Sequence, residues 1–481
     1  MENSATDTPQ SLDVLILAAG LGTRMKSETA KVLHKIGGRP LIAHVCRAAS
    51  ALDPRRISVV VGHQASSVEA AVREELGDEN ISFALQKEQL GTGHAVLSAR
   101  DLLENEDSTL LILSGDVPMI RVETLAALVQ QHRTHRGRGA ACTLLTVRLE
   151  DPTGYGRIVR DDVGRFQKIV EQKDASEEER KIKETNAGIY CFNTRLLFNA
   201  LTQVRNDNKQ GEYYLTDVPQ ILSDAGEPVS LYSHSDFREV SGINNREELS
   251  DLERVLRRRV NSRLMREGVT IIDPQHTYIS EDAEIGRDTV IFPNVMIEGK
   301  TRVGDGCEIR SGARLTNANV GNGVRILDNC VITDSEVGDD CTLGPFAHLR
   351  GAARMEENAK VGNFVEMKKS VLGRKSKASH LTYLGDATIG ENTNIGAGTI
   401  TCNYDGKNKN PTTIGNNVRI GSDTMLVAPV KVGDNSATGA GSVVTKDIPP
   451  DKLAVGAPAK VIKSLQQGET PADENQESKS A

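Results

Sequence analysis

Tryptophan is absent from the 481 residues, and aromatic side chains make up only 3% of them. A globular core of this size ordinarily draws on more aromatic bulk, so part of the chain is expected to pack differently. No two cysteines have CxxC spacing. The seven, at 46, 142, 191, 307, 330, 341 and 402, are odd in number and scattered. That argues against a disulfide framework or a structural zinc site and suits a reducing cytoplasm, with all seven as small buried hydrophobes. No run approaches the ~18 apolar residues of a membrane helix. Met1 to Gln10 lack the basic and apolar parts of a secretory signal. A basic excess is missing too: Lys+Arg number 58 against 66 Asp+Glu, a net charge of −8. Neither a membrane nor nucleic acid is therefore an expected partner, although local basic pockets for phosphates remain compatible with that balance.

What the chain does have is glycine, 43 of them, and a periodicity. Aliphatic residues recur every six positions at Ile285, Ile291, Ile297, Val303, Ile309 and Leu315. After one-residue slips the beat continues through Val320, Ile326, Ile332, Val337, Leu343, Leu349, Met355, Val361 and Met367. It resumes at Ile389 and Ile395, then at Ile414, Ile420, Leu426 and Val432. A period of six is neither helical nor that of a flat strand; it is the hexapeptide signature of a left-handed parallel β-helix. About nine coils, stacked roughly 4.8 Å apart, would make a prism on the order of 45 Å long. Two interruptions, Met367 to Ile389 and Cys402 to Thr413, are expected to be loops.

The first half reads differently. Val14 to Leu17, Ile57 to Val61 and Leu110 to Leu113 are short apolar runs ending at glycines or at Ser114-Gly115-Asp116. Helical patterns at Leu41 to Ala51 and Val68 to Leu76 lie between them. Such alternation predicts a mostly parallel α/β sheet covered on both faces, with ligands beyond the carboxyl ends of its strands. A helix with Leu249, Leu252, Leu256, Val260 and Leu264 on one face follows, and its six arginines from Arg254 to Arg266 are expected to form a solvated face. The expected organisation is a flexible N-terminus (1–10), an α/β domain (11–245), a linker helix (246–267), a β-helix (268–463) and a disordered tail (464–481).

Directly after the first strand comes Leu17-Ala18-Ala19-Gly20-Leu21-Gly22-Thr23-Arg24-Met25. Glycines there let backbone N–H groups approach an anion, and Arg24 and Lys31 add two cations. The spacing is not that of the dinucleotide-binding GxGxxG. It resembles the sugar-1-phosphate nucleotidylyltransferases, with Ala30 standing where a proline usually precedes the lysine. Further motifs narrow the resemblance: Gln86 to Ala95, Gly115-Asp116-Val117-Pro118, Gly154-Tyr155-Gly156-Arg157, Ile169-Val170-Glu171, Asn186-Ala187-Gly188, Gly211-Glu212-Tyr213-Tyr214 and Gly242-Ile243-Asn244-Asn245. In the second half Gly362 to Lys369, His380 to Asp386, Asn394 to Gly398 and Asn403-Tyr404-Asp405-Gly406 stand out.

Together they resemble the bifunctional N-acetylglucosamine-1-phosphate uridyltransferase and glucosamine-1-phosphate N-acetyltransferase family over roughly residues 11 to 456. The resemblance implies a Rossmann-like nucleotidyltransferase domain followed by a left-handed β-helix, and a cytoplasmic homotrimer acting on small molecules. Leu17, Ala18, Ala19 and Gly20 would contact the nucleotide together with Ser114 and Gly115, while Gln86, Gly91 and Thr92 would read the uracil of UTP. Arg24 would act catalytically and with Lys31 hold phosphates. Gly156, Glu171 and Asn186 would hold the sugar, and Asp116 and Asn244 would bind Mg²⁺. In the β-helix the resemblance makes His380 the base, places Arg350, Lys368, Tyr383 and Asn394 on glucosamine-1-phosphate, and assigns Ala397, Asn403, Tyr404, Ser422 and Ala440 to acetyl-CoA. At Ala457 the family pattern often offers an arginine to coenzyme A; Lys446 or Lys460 is expected to replace it here.

The chemistry accords with that division. A sugar-1-phosphate is already an anionic nucleophile, so its attack on the α-phosphorus of UTP needs charge neutralisation rather than a base. Acetylation of an ammonium does need one, and a neutral imidazole suits it. The alternative is a single-function nucleotidylyltransferase whose β-helix only assembles subunits.

Overall fold

The computed structural model of the chain describes residues 11–103 and 108–465. Residues 1–10, expected as a flexible start, and 466–481 of the tail expected from 464 lie outside the described residues; Ser464 itself closes the last strand, Lys460–Ser464. The chain forms two compact units, Met1–Leu256 and Arg257–Ala481. Among the described residues no helix is long and apolar enough to cross a membrane.

In the first unit a seven-strand path orders β1 (Leu12–Leu17), β2 (Arg56–Val61), β3 (Ile81–Leu85), β4 (Thr109–Ser114), β5 (Cys142–Arg148), β6 (Glu184–Asn193) and β7 (Val229–His234) as β7-β5-β6-β4-β1-β2-β3. β1 pairs in parallel with both β2 and β4. Only β6 runs against its neighbours on this path, antiparallel to β4 and β5. Both sheet faces are covered, as near-continuous apolar strands require. Val14, Ile16, Leu111 and Leu113 belong to one core cluster, while Leu15, Leu110 and Ile112 belong to the other. A hairpin of Arg157–Arg160 and Phe166–Val170 pairs with β6 beside the main path.

The helix Arg246–Arg266 spans the boundary between units. Leu252, Leu256, Val260 and Leu264 are buried, as its spacing predicts. Its arginines are not uniformly solvated: Arg257 lies 4.4 Å over the Tyr278 ring, a cation–π contact that its long stem makes accessible.

The second unit is a triangular coil of three sheets, with twelve, ten and nine strands. Strand pairings along the coil are parallel except the last, where Lys452–Val455 and Lys460–Ser464 form a hairpin. The longer sheets exceed the nine expected rungs because outlying pairs such as Thr270–Ile271 and Tyr278–Ile279 lie before the aliphatic beat begins. Every aliphatic of that beat except Ile285 is buried. The interruption expected between Met367 and Ile389 is not a loop. Leu372, Ala378 and Leu384 carry the beat through strands Val371–Leu372, Lys377–His380 and Tyr383–Gly385 and are fully buried. One-residue slips and a small alanine at the inward position hide the repeat from inspection. The second interruption is an insertion: residues 404–410 leave the coil, closed by an isolated Tyr404–Lys409 bridge. Six of the seven cysteines are buried; Cys402, at the edge of this insertion, is partly exposed.

Rung stacking dictates where glycine is required. Gly286, Gly304, Gly321 and Gly338 each follow the inward aliphatic on successive rungs. A Cβ on Gly304 would stand 2.5 Å from Asn322 Oδ1 and 2.7 Å from Gly321 O. Beside this column run side-chain ladders in which Asp305 N donates to Asn322 Oδ1 at 2.9 Å and Asn322 N to Asp339 Oδ1 at 2.7 Å. Gly306, by contrast, has φ +65° and open space around it. Gly304→Ala is therefore expected to destabilise the coil by about 2–3 kcal/mol through overpacking. Gly306→Ala should cost only about 1 kcal/mol, for its left-handed backbone. Urea unfolding of the two variants checks the order, and equal losses would overturn it.

Candidate active sites

Three parallel strands deliver the first site. β1 and β4 end side by side, Gly115 N donating to Leu17 O at 2.9 Å, and Ala18 N donates to Val60 O near the end of β2 at 2.8 Å. The turn then folds over Lys31 at Gly22, whose φ is +61°; a Cβ there would stand 2.5 Å from Lys31 Cβ. Beyond these strand ends lies a cleft of about 280 Å³ lined by Leu17, Ala18, Ala19, Gly20, Lys31, Gln86, Gly91, Thr92, Ser114 and Asp116. Gln86 is buried, its Nε2 3.2 Å from Gly91 O and 3.1 Å from His94 Nδ1. Gly91 and Thr92 pack on the 213–215 segment: Gly93 N donates to Tyr213 O at 2.8 Å and Leu215 N to Thr92 Oγ1 at 3.0 Å.

At one end of the cleft the charged groups converge. Lys31 Nζ pairs with Asp116 Oδ2 and lies 3.4 Å from Asn244 Oδ1, which also accepts from Arg24 Nη2 at 2.9 Å. Ile243 N donates to Asp116 O at 3.0 Å. Gly156, Glu171 and Asn186 gather separately: Asn186 N donates to Gly156 O at 2.9 Å, and a Cβ on Gly156 would stand 3.3 Å from Glu171 Oε1. Asn186 Nδ2 donates to Tyr190 OH at 2.6 Å, and Thr216 Oγ1 donates to Glu171 Oε1 at 3.3 Å. Burial holds the Glu171 carboxyl above its usual range, with Asp174 and Asp217 reinforcing the shift. Asp217 is pushed up to about 6, first by burial and then by Asp207 and Asp174.

In the second unit the register aligns the remaining residues. Arg350 is paired with Lys368, and Lys368 with Gly385, on three successive rungs of one sheet. Arg350 Nη2 lies 2.6 Å from Glu366 Oε1. A Cβ on Gly385 would meet the Tyr383 hydroxyl and stand 2.7 Å from Asn403 Nδ2, so glycine leaves room for both side chains. The Lys409 ammonium beside Lys368, in the inserted loop, holds Lys368 below its ordinary value, with Arg350 adding to the effect.

His380 Nδ1 lies 2.7 Å from Asn363 Oδ1, the two residues being register partners. The pairings Ala378 with Ile395, Ile395 with Ile420 and Arg419 with Ala437 carry that corner onward. Asn363, His380, Ala397, Ser422 and Ala440 consequently occupy equivalent places on five successive rungs. Asn403, buried, donates through Nδ2 to Asp386 Oδ2 at 2.5 Å. Tyr404 is exposed in the insertion, donating to Gly406 O at 2.8 Å. Asn394 points outward beside Lys377 and makes no contact with the Arg350–Lys368 group among the side-chain bonds described.

Comparison with known proteins bears on both halves. A nucleotidyl transferase family model matches residues 13–239. A GMPPB C-terminal domain model matches 274–355, and a bacterial transferase hexapeptide model 411–446. The chain is 48% identical to the bifunctional protein GlmU of Listeria innocua over 441 residues, 92% of this chain and 94% of that one. It is 47% identical to that of Shouchella clausii and 48% to that of a Geobacillus species, each over 449 residues, 93% of this chain and 97% and 96% of theirs. The chain belongs to the bifunctional GlmU family.

Sequence reasoning had no GlmU role for Gln89 and Glu212, which line the cleft, although both lie in motifs that stand out in the sequence. It also passed over Lys409, because a lysine in a polar insertion looks like any solvated charge. Asp217 yields a test. A carboxyl whose folded-state pKa is raised binds its proton more tightly when folded, so its contribution to stability falls as pH rises between about 4 and about 6. Asp217→Asn is expected to raise the urea midpoint of the first unit at pH 7, and the gap to wild type should shrink as pH is lowered toward 4. A gap independent of pH would refute this.

Proposed function

We propose that this GlmU chain makes UDP-N-acetylglucosamine in two steps. The β-helix half acetylates glucosamine-1-phosphate from acetyl-CoA, and the α/β half joins the product to the uridylyl group of UTP, releasing pyrophosphate. The observation that carries both steps is that one chain holds a cation-lined cleft at the strand ends and a second, separate histidine site on the coil. A β-helix serving only as a scaffold would have no use for the Asn363–His380 pair at the head of the Ala397–Ser422–Ala440 column, nor for the Arg350–Lys368 cations on the adjoining sheet.

For uridylyl transfer, Gln86 reads the base, and Leu17 to Gly20, Ser114 and Gly115 bring backbone to the nucleotide. Gly156, Glu171 and Asn186 hold the acetylated sugar with its phosphate toward Arg24 and Lys31. The sugar phosphate oxygen attacks the α-phosphorus of UTP, and the bond to pyrophosphate breaks. Lys31 and Arg24 offset the negative charge of the meeting phosphates and the leaving group. Asp116 Oδ2 and Asn244 Oδ1 both contact the one ammonium of Lys31. That all-oxygen pair with few protein ligands suits Mg²⁺, which keeps waters and takes phosphate oxygens. Held by those two residues, Mg²⁺ would supply Lewis-acid neutralisation of the phosphates.

For acetyl transfer, Asn363 Oδ1 accepts the Nδ1 hydrogen of His380 and leaves the Nε2 lone pair for the substrate ammonium. Nε2 takes one proton, the freed amine attacks the thioester carbonyl carbon, the carbon–sulfur bond breaks, and the departing coenzyme A thiolate takes up the second proton released from the nitrogen as the amide forms. Arg350, Lys368 and Tyr383 grip the sugar phosphate, and Lys409 lies close enough to join them. With roughly 4.8 Å per rung, the column from His380 to Ala440 extends about 14 Å, a track for the extended arm of acetyl-CoA. At its end the terminal hairpin sets Lys460 opposite Val455, two residues before Ala457, whereas Lys446 lies outside the strands.

The homotrimer is supported by one corner of the coil. Asn329, Gly398 and Asp423 hold its left-handed positions on other rungs, but Phe346, Phe364 and Leu381 hold three consecutive ones, at φ 56°, 54° and 46°. They are 48%, 56% and 62% exposed, and the two phenylalanine rings stack at 5.2 Å. Bulky apolar residues in a costly conformation on an open surface fit a face that a second copy covers. A cytoplasmic location agrees with seven free cysteines.

The deciding assay supplies Mg²⁺, UTP, pyrophosphatase and glucosamine-1-phosphate with or without acetyl-CoA, next to an N-acetylglucosamine-1-phosphate control. UDP-N-acetylglucosamine should form from glucosamine-1-phosphate only when acetyl-CoA is present; product from the pre-acetylated sugar alone would demote the β-helix to a scaffold. His380→Ala should lower acetyl transfer by about 100-fold or more and leave uridylyl transfer unchanged. Lys460→Ala should raise the KM for acetyl-CoA and Lys446→Ala should not; unchanged values in both would remove lysine from the coenzyme site.

A further inference from the structure

We infer that Glu239 is a positioning residue for uridylyl transfer: it clamps together the two segments that carry Asp116 and Asn244. This rests on the reading of those two as the Mg²⁺-holding pair. Glu239 is 2% exposed, although it sits on a four-residue helix, Phe237–Val240, at the margin of the sheet. A buried carboxyl needs partners, and the hydrogen bond that Glu239 accepts comes from Arg121, in a different stretch of chain. Its Oε1 accepts from Arg121 N at 3.0 Å, and its Oε2 lies 3.5 Å from Arg121 Nε. On the other side Oε2 is 3.2 Å from His234 Nε2, at the end of β7.

Arg121 is five residues beyond Asp116, and Asn244 is five beyond Glu239. The two segments run antiparallel, joined at one end by the backbone bond from Ile243 N to Asp116 O at 3.0 Å. At the other end the Glu239 side chain reaches across to Arg121 N. Residues between the two ties are packed down: Val117, Met119, Ile120, Val240 and Ile243 are all buried. Without the Glu239 tie, the Ile243–Asp116 backbone bond and the Lys31 ammonium shared by Asp116 and Asn244 would have to keep the Asn244 segment against Asp116. An oxygen pair that must share one cation is sensitive to such outlying support.

Four variants of the full chain test this. Glu239→Ala should raise the Mg²⁺ concentration for half-maximal uridylyl transfer about tenfold while recovering most of the rate at high Mg²⁺. Hydrogen exchange of the 241–245 amides should quicken. Glu239→Gln keeps an acceptor for Arg121 N and should restore both readouts toward wild type. Glu239→Asp keeps the charge but is one methylene too short, so it should behave like alanine, and it carries the test if Glu239→Ala does not fold. Acetyl transfer by the same chain serves as an internal control and should not move. Unchanged Mg²⁺ dependence and unchanged exchange in both the Ala and Asp variants would overturn the proposal. Asp116→Asn separates it from the reading beneath it: this variant should stay at least about 100-fold slow even at high Mg²⁺, and a normal rate would remove Asp116 from the site whatever Glu239 does.

Discussion

Both halves of this GlmU chain depend on parallel strand pairing. When neighbouring strands run the same way in register, equivalent chain positions come to lie side by side, and whatever follows each strand emerges at the same edge. In the first unit β1, β2 and β4 all end at one edge. The glycine turn after Leu17 and the Ser114-Gly115-Asp116 segment after β4 therefore meet without any long-range side-chain contact to bring them there. In the second unit the same rule acts around a corner. A residue such as His380 is stacked between Asn363 and the position of Ala397 because the rungs above and below are paired in register.

The two units spend their side chains differently as a result. In the coil the backbone does the positioning, and the necessary side-chain choices are largely subtractive. Gly304 has no room for a Cβ, and Gly385 leaves a gap that Tyr383 and Asn403 fill. The α/β unit has a harder task, since the groups proposed for its chemistry, at 24, 31, 116 and 244, come from segments that no ladder aligns. There the alignment is made by side chains and by single backbone bonds: Asn244 Oδ1 reaching Arg24 and Lys31, Ile243 N reaching Asp116 O, and Glu239 reaching Arg121.

That difference explains what could be read from the amino-acid sequence. The aliphatic beat from Ile285 to Val432 announces the coil because every rung repeats the same inward demand. Repetition also makes the signal robust to small slips. It fails where the inward residue is an alanine, as at Ala378, since a methyl group fills the space without standing out among its neighbours. In the α/β unit the apolar runs and the glycine turn after Leu17 were legible because strand, turn and cation are contiguous. The one strand of the main path that runs against its neighbours, Glu184–Asn193, was not, for its direction is decided by the path of the chain and leaves no mark on its composition. Glu239 was equally hidden: in sequence it is one acid among 66, and only burial and the fold's juxtaposition of 121 with 239 distinguish it.

The chemistry places the same contrast under selection of a different kind. In the proposed acetyl transfer a single imidazole frees the amine, and a histidine backed by the Asn363 amide on a rigid corner would meet that need with little else. Uridylyl transfer needs no proton moved but must hold two polyanions together, so its requirement is the simultaneous placement of several charges. Coulomb attraction between those charges weakens with distance and with water access, and the loops that bear them have no sheet to fix their spacing. A small displacement of one loop is therefore costly to the first site, whereas the coil's site is lost only when stacking itself is disturbed. The buried tie at Glu239 is what a site of the first kind requires, and the glycine columns are what a site of the second kind requires.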